Sequence, residues 1–161
     1  MHKSALAIRA TIAALALTAA LHAQQPILYG APIPLEKAKT VATAALAEAQ
    51  KNGWLMAVTI VDSSGELVFF EKMDGTQLGS IDVSMAKARS AILFKRPTKA
   101  YDDAVAAGGV GLRVLKVPGA MPIEGGIPLI ESGKIIGAIG ISGARPPQDG
   151  QCATVGAALI H

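Results

Sequence analysis

Residues 124–143, EGGIPLIESGKIIGAIGISG, constrain the fold more tightly than any other part of the chain. Two apolar runs flank Ser132-Gly133, and a two-residue loop ending in glycine predicts a β-hairpin, because glycine accepts the positive φ that such turns require. Over residues 135–142 the odd positions are Ile135, Gly137, Ile139 and Ile141, and the even ones are Ile136, Ala138, Gly140 and Ser142. Successive side chains of a strand point to opposite faces. The alternation therefore predicts one bulky apolar face and one small face, open to either a helix or a flat ligand at close range. Pro128 cannot donate to a ladder, which places the first strand of the hairpin at a sheet edge.

The start of the chain has a different character. Residues 1–23 have the parts of a secretory signal: Lys3 and Arg9, an apolar run over residues 10–21, and the small residue Ala23 at its end. The run is shorter than the ~20 residues of a spanning helix. Cleavage after Ala23 and a periplasmic or secreted location are expected, with no membrane span afterwards. Lys3 and Arg9 leave with the leader, so 15 basic residues become 13 against 12 acidic, a net charge of +1. With no run of Lys or Arg, one Trp, two Tyr and three Phe, nucleic acid is not an expected partner.

His2 and His22 also lie in the leader, which leaves His161 as the lone histidine at the last position. That argues against serine–histidine catalysis, histidine zinc sites and a histidine haem ligand. Cys152 is the single cysteine, so no intrachain disulfide is possible. It reads as a packed small hydrophobe rather than a reactive thiol.

In chain order, residues 24–34 form a linker-like lead containing Pro26, Gly30 and Pro32. Pro34 opens a helix striped by Leu35, Ala38, Ala42, Ala45, Leu46 and Ala49, which Asn52-Gly53 closes. Residues 54–61 read as a strand apolar on both faces and hence central. Asp62-Ser63-Ser64-Gly65 turns the chain into a second strand over residues 66–73. A helix capped by Ser80 is predicted to bury Ile81, Met85, Ala88 and Ile92, with Lys87 and Arg89 solvated. Pro97 stops it, and Thr98 caps a short helix reaching Ala107.

Residues 108–126 read as a loop over the sheet, with a weak strand signal at 112–117. Gly108-Gly109-Val110-Gly111 lacks the Lys and Ser or Thr of a phosphate-binding loop. After the hairpin, Asp149 caps a last helix predicted to bury Cys152, Val155, Gly156 and Leu159. Hairpins without regular strand–helix alternation predict an α/β (α+β) domain, an antiparallel sheet flanked by helices.

Several blocks together resemble a known family. Met73-Asp74-Gly75 is followed by Ser80, by Ala86-Lys87-Ala88-Arg89, by Phe94 and by Pro97-Thr98. Gly125-Gly126-Ile127-Pro128, the run from Ile136 to Gly143, and Asp149 complete the set. This order and spacing, over residues 35–161, resembles the GlcG/HbpS family, the haem-degrading domain family, which is similar to the C-terminal domain of PduO-type proteins. The resemblance implies a profilin-like fold, homo-oligomers, and binding of haem or a related tetrapyrrole for uptake, sensing or degradation.

Haem needs an apolar slot, an axial ligand and a cation near the propionates. The candidate cofactor-binding residues are Met73, Lys95, Arg96, Thr98, Gly125, Gly126 and Ser142. Axial candidates are Met73, Met121, Tyr101, Thr98 or a lysine; the resemblance points to Thr98, whose alternative role is the helix cap. A second reading is an enzyme acting on a small polar metabolite through acid–base groups drawn from Asp74, Glu124 and Asp149, of which Asp74 alternatively forms a turn and Asp149 a cap. A third is a non-catalytic homo-oligomeric accessory protein, with the small-residue stripes of the first helix and last strand as subunit contacts.

Overall fold

The computed structural model describes residues 26–161, so the leader expected over residues 1–23 lies outside the described residues. The strands are β1 (Leu28–Tyr29), β2 (Ala57–Asp62), β3 (Leu67–Lys72), β4 (Gly126–Glu131) and β5 (Lys134–Ser142). They form one sheet in which β5 is central. It pairs antiparallel with β2 on one side and β4 on the other. β3 pairs antiparallel with β2. Among the described residues β4 has no second partner strand, which is the edge position Pro128 requires. The one parallel pairing among the described residues is β1 against Lys134 and Ile135, beyond the end of β2. The lead is thus more than a linker: Gly30 N–H and Ile33 N–H donate to the carbonyls of Ile135 and Ile136, each at 2.8 Å, and Ile33 is buried.

The helices are α1 (Leu35–Lys51), α2 (Ser80–Phe94), α3 (Lys99–Ala106) and α4 (Pro146–Ala157), with a 3-10 helix at Gly109–Lys116. α1 and α4 cover one face of the sheet, packing Val41, Ala45, Cys152 and Ala153 against Val58, Ile60, Ile139 and Ile141. α2 covers the other face, where Ala88, Ala91 and Ile92 meet Val61, Ile135 and Ala138. This is the mixed α/β arrangement expected, with helices on both sides of the sheet.

The hairpin turn forms as expected, with Ser132 at φ 48° and Gly133 at φ 74°. The alternation of β5 holds from Gly137 onward but inverts before it. Register slips between Leu129 and Ile130, so Ile136 is an extra residue opposite β4. The bulge turns Ile135 to the α2 side and Ile136 to the α1–α4 side.

On the small face the choice between helix and flat ligand is decided for the helix. A Cβ on Gly140 would overlap the Ser84 carbonyl oxygen and lie 2.6 Å from Ala88 N. α2 is therefore seated directly on the β5 backbone.

The buried face of α2 differs from the apolar stripe expected of it. Ile81 is exposed and Met85 half-buried, whereas Ser80, Ser84, Lys87, Ser90 and Ala91 are buried. A strand face of Ala and Gly leaves room only for small side chains, and their polar atoms find partners: Ser84 Oγ and Thr59 Oγ1 are 2.8 Å apart. Ser80 and Thr98 make no side-chain cap. In α1, Leu35 is exposed and Val41 takes a core place. In α4 the inward residues are Asp149, Gly150, Cys152, Ala153 and Gly156, while Val155 and Leu159 are exposed. The weak strand signal at 112–117 belongs to the 3-10 helix. The stripe of Ala38, Ala42, Ala45 and Ala49 in α1 and the small residues of β5 from Gly137 to Ser142 are interior to the chain, so they are not available as subunit contacts.

Substituting Gly140→Val is expected to lower stability by about 3 kcal/mol or more, since the obstructing atoms are backbone and cannot swing away; the urea midpoint reads this directly. Cys152 is buried, and desolvation, then the charges of Glu48 and Asp149, push its thiol up to about 11. The native thiol is expected to resist iodoacetamide at pH 8 and to react fully in denaturant. Because the folded value lies above the unfolded one, its contribution to stability is complete below pH 9.0 and is lost as pH rises through about 11.

Candidate functional site

The close seating of α2 carries Lys87 into the interior. Its Nζ donates to Asp149 Oδ2 at 2.7 Å and to the Ile141 carbonyl at 3.0 Å. Asp149, in the first turn of α4, uses Oδ1 to accept from Ala144 N–H at 3.1 Å. The two side chains are 1% and 3% exposed. Burial pulls the Lys87 ammonium below its usual range, opposed first by Asp149 and then by Asp102 and Glu124. Burial likewise pushes the Asp149 carboxyl up, opposed by Lys87. Each partner is driven toward neutrality by desolvation and held from it by the other.

The glycine pair at the hairpin entrance exists to let this lysine through. A Cβ on Gly125, at φ 129°, would lie 2.7 Å from the Ile141 carbonyl oxygen and 2.9 Å from Lys87 Nζ. A Cβ on Gly126 would overlap the Lys87 carbonyl and lie 2.7 Å from Thr98 Cγ2. Thr98, fully buried, grips Gly126 twice: its N–H donates to the Gly126 carbonyl and its Oγ1 accepts from Gly126 N–H, both at 2.9 Å.

Above this floor is a cleft of about 210 Å³ walled by Pro97, Lys99, Glu124, Ile127, Gly150 and Thr154. Glu124 N–H donates to Asp102 Oδ2 at 3.0 Å, and its carboxylate lies against Gly150. Lys99 is paired with Asp103 at 2.7 Å. The arrangement offers carboxylates and an ammonium around a space for a small polar molecule or the edge of a larger one.

Of the candidate residues, Thr98, Glu124, Gly125, Gly126 and Asp149 are therefore brought together. Ser142 is buried beside them on the α2 side, its Oγ donating to Ser80 Oγ at 3.3 Å. Lys95 turns away: its Nζ donates to the Ile27 carbonyl at 2.8 Å and lies 4.2 Å above the Tyr29 ring. Arg96 is exposed, with Nε donating to the Phe94 carbonyl at 3.2 Å and its guanidinium 5.7 Å from the Tyr101 ring. Met73 and Asp74 line a separate groove of about 380 Å³ against α1. Among the described residues no three His, Cys, Asp or Glu side chains converge as a metal site.

A further groove, of about 410 Å³, runs between the outer face of α2 and the loop following the 3-10 helix. Met85 and Arg89 face it from the helix and Met121 from the loop. Met121 N–H donates to Ser90 Oγ at 2.9 Å, which pins the loop to α2.

Sequence reasoning placed Lys87 on a solvated surface and gave Asp102 no role. One signal was available: Ser80, Ser84, Lys87 and Ala91 recur at helical spacing as a small and polar stripe, the complement of the small face of β5. Lys87→Met is expected to cost about 3–5 kcal/mol by leaving Asp149 buried without its counter-charge, and Lys87→Met/Asp149→Leu to recover most of that loss. Urea denaturation of both variants checks it; a double variant no more stable than the single one would contradict it.

Comparison with known proteins agrees with this architecture. A family described as haem degrading protein HbpS-like matches residues 33–158. Protein GlcG of Escherichia coli strain K12 is 35% identical over 107 residues, which are 66% of this chain and 78% of that one. Among solved structures, a double mutant of HbpS from Streptomyces reticuli superposes with a TM-score of 0.74 and 28% identity, over 86% of this chain and 95% of that one. A PduOC:heme complex does so with a TM-score of 0.72 and 27% identity, over 81% and 96%.

Proposed function

We propose that this chain, which belongs to the HbpS-like family, binds haem or a closely related tetrapyrrole for uptake, sensing or degradation. The observation that carries the proposal is the likeness to a solved structure described as a complex with heme, over 81% of this chain. An iron porphyrin supplies redox and oxygen chemistry when bound; the chain's own residues supply the slot, the ligand and the charges around it.

The donor set narrows how such a group is held. His161 is the only described histidine and is the exposed last residue. Thioether, hydroxyl and amine groups are what remain, and weaker ligation of this kind suits reversible capture better than permanent electron transfer. Thr98 stands beside the cleft, but its hydroxyl must turn from Gly126 N–H before it can meet an iron. A periplasmic or secreted location remains part of the proposal, resting on the leader pattern of residues 1–23.

Homo-oligomer formation is proposed as well. Its support is the apolar surface of the 3-10 helix, where Val110 and Leu115 are 76% and 58% exposed. Light scattering is expected to give a multiple of the single-chain mass, and Leu115→Glu to reduce it.

A second reading, an enzyme acting on a small polar metabolite, is supported by Glu124 opening into the cleft over the Lys87–Asp149 pair. The two readings separate by titration. Adding haemin to the apo-protein is expected to shift and sharpen the Soret band to a saturating endpoint, whereas a spectrum equal to free haemin at every ratio rules the haem reading out.

A further inference from the structure

The last turn of α2 is finished by a residue 63 positions earlier in the chain. A helix ends on carbonyls that have no partner inside it. Lys95 N–H and Arg96 N–H both return to the Ala91 carbonyl, although a continuing helix would send Arg96 N–H to Ile92. The Ile92 carbonyl is taken instead by the Tyr29 hydroxyl of β1, at 2.8 Å, with the Leu93 carbonyl 3.4 Å from the same oxygen.

The turn that follows is strained. Lys95 lies at φ 54° and ψ 37°, the left-handed conformation that glycine usually fills at a helix end. Another residue stays there only where its surroundings over-determine it. Here its own side chain does so: Nζ is held between the Ile27 carbonyl and the face of the Tyr29 ring. The lead is itself fastened to the sheet through β1 and through Gly30 N–H. Tyr29 and Lys95 therefore clasp the end of α2 to the β5 side of the sheet.

Three residues beyond Lys95 stands Thr98. The Phe94 ring meets Tyr101 of α3 edge-on, 5.5 Å between centroids, so the end of α2 and the start of α3 move as one piece. Pro97 and Lys99 wall the cleft. In the haem reading the Thr98 hydroxyl leaves Gly126 N–H to meet the iron, and only the Thr98 N–H bond to the Gly126 carbonyl remains on that side. The turn at Lys95 is then the second anchor of the segment. A segment already anchored loses less freedom when its ligand arrives, which raises affinity without adding a contact.

We infer that residues 26–30 are a strap that positions the start of α3 for its ligand, with Tyr29 and Lys95 as positioning residues outside the cleft wall. The inference rests on the haem reading for the ligand and adds a control on that site. The cleavage expected after Ala23 leaves the strap whole, whereas trimming beyond Tyr29 removes it.

The test compares the protein freed of its leader with Tyr29→Phe, Lys95→Gly and Lys95→Arg, by urea denaturation, hydrogen exchange and haemin titration. Tyr29→Phe keeps the ring and removes only the hydroxyl. Lys95→Gly removes the clasp but relieves the left-handed turn, so its urea midpoint is expected to stay near that of the wild type. In both, exchange over residues 95–101 is expected to quicken roughly fivefold, the scale of one lost hydrogen bond, and haemin affinity to fall by a similar factor. Lys95→Arg keeps a cation over the ring and is expected to match the wild type in both. A contribution to overall stability alone would instead lower the midpoint and quicken exchange across the whole sheet. Unchanged exchange over residues 95–101 in Tyr29→Phe and Lys95→Gly, or faster exchange with wild-type haemin affinity, overturns the strap and leaves the haem reading standing. If the wild type binds no haemin, the haem reading falls and takes the positioning of its ligand with it.

Discussion

The ion pair between Lys87 and Asp149 is the contact on which the rest of the molecule depends. It joins α2, the end of β5 through the Ile141 carbonyl, and the start of α4. Buried pairs often return little net stability, because desolvating two charges offsets their attraction. Its value here is positional. A lysine that must reach that carboxylate fixes the rotation of α2 about its axis, and with it which residues face outward into the groove. The same lysine dictates glycine at 125 and 126, and Gly126 in turn fixes Thr98.

Much of this arrangement could be read in advance, and the exceptions share a cause. The hairpin was legible because Ser132-Gly133 is a local signal, and the central position of β2 because its run is apolar on both faces. The bulge at Ile136 was not, since Ile135 and Ile136 are chemically alike and nothing local says which is extra. The inward face of α2 was misread for the opposite reason. Hydrophobic periodicity assumes that inside means apolar, and here the partner surface is a Gly and Ala strand that accepts only small or threadable side chains.

The candidate site divides in the same way. Glu124, Gly125, Gly126, Thr98 and Asp149 are scattered in the chain but meet because two hairpin-entrance glycines allow it. Residues whose role depends on a neighbour's rotation, such as Lys87 and Met85, could not be placed from spacing alone. The fold of this chain carries distinct concavities: one of about 210 Å³ beside α4 and one of about 410 Å³ on the outer face of α2.

The place of β5 in the chain has one more consequence. It is the central strand, paired to β1, β2 and β4, yet it is the second-last regular element to be synthesised. Until it emerges, β1 has no partner at all and β2 with β3 is a two-stranded ribbon lacking its core. High contact order of this kind delays folding until nearly the whole polypeptide is available. A growing chain built this way cannot close its core until its penultimate element is available, and the apolar strands made before it stay uncovered until then.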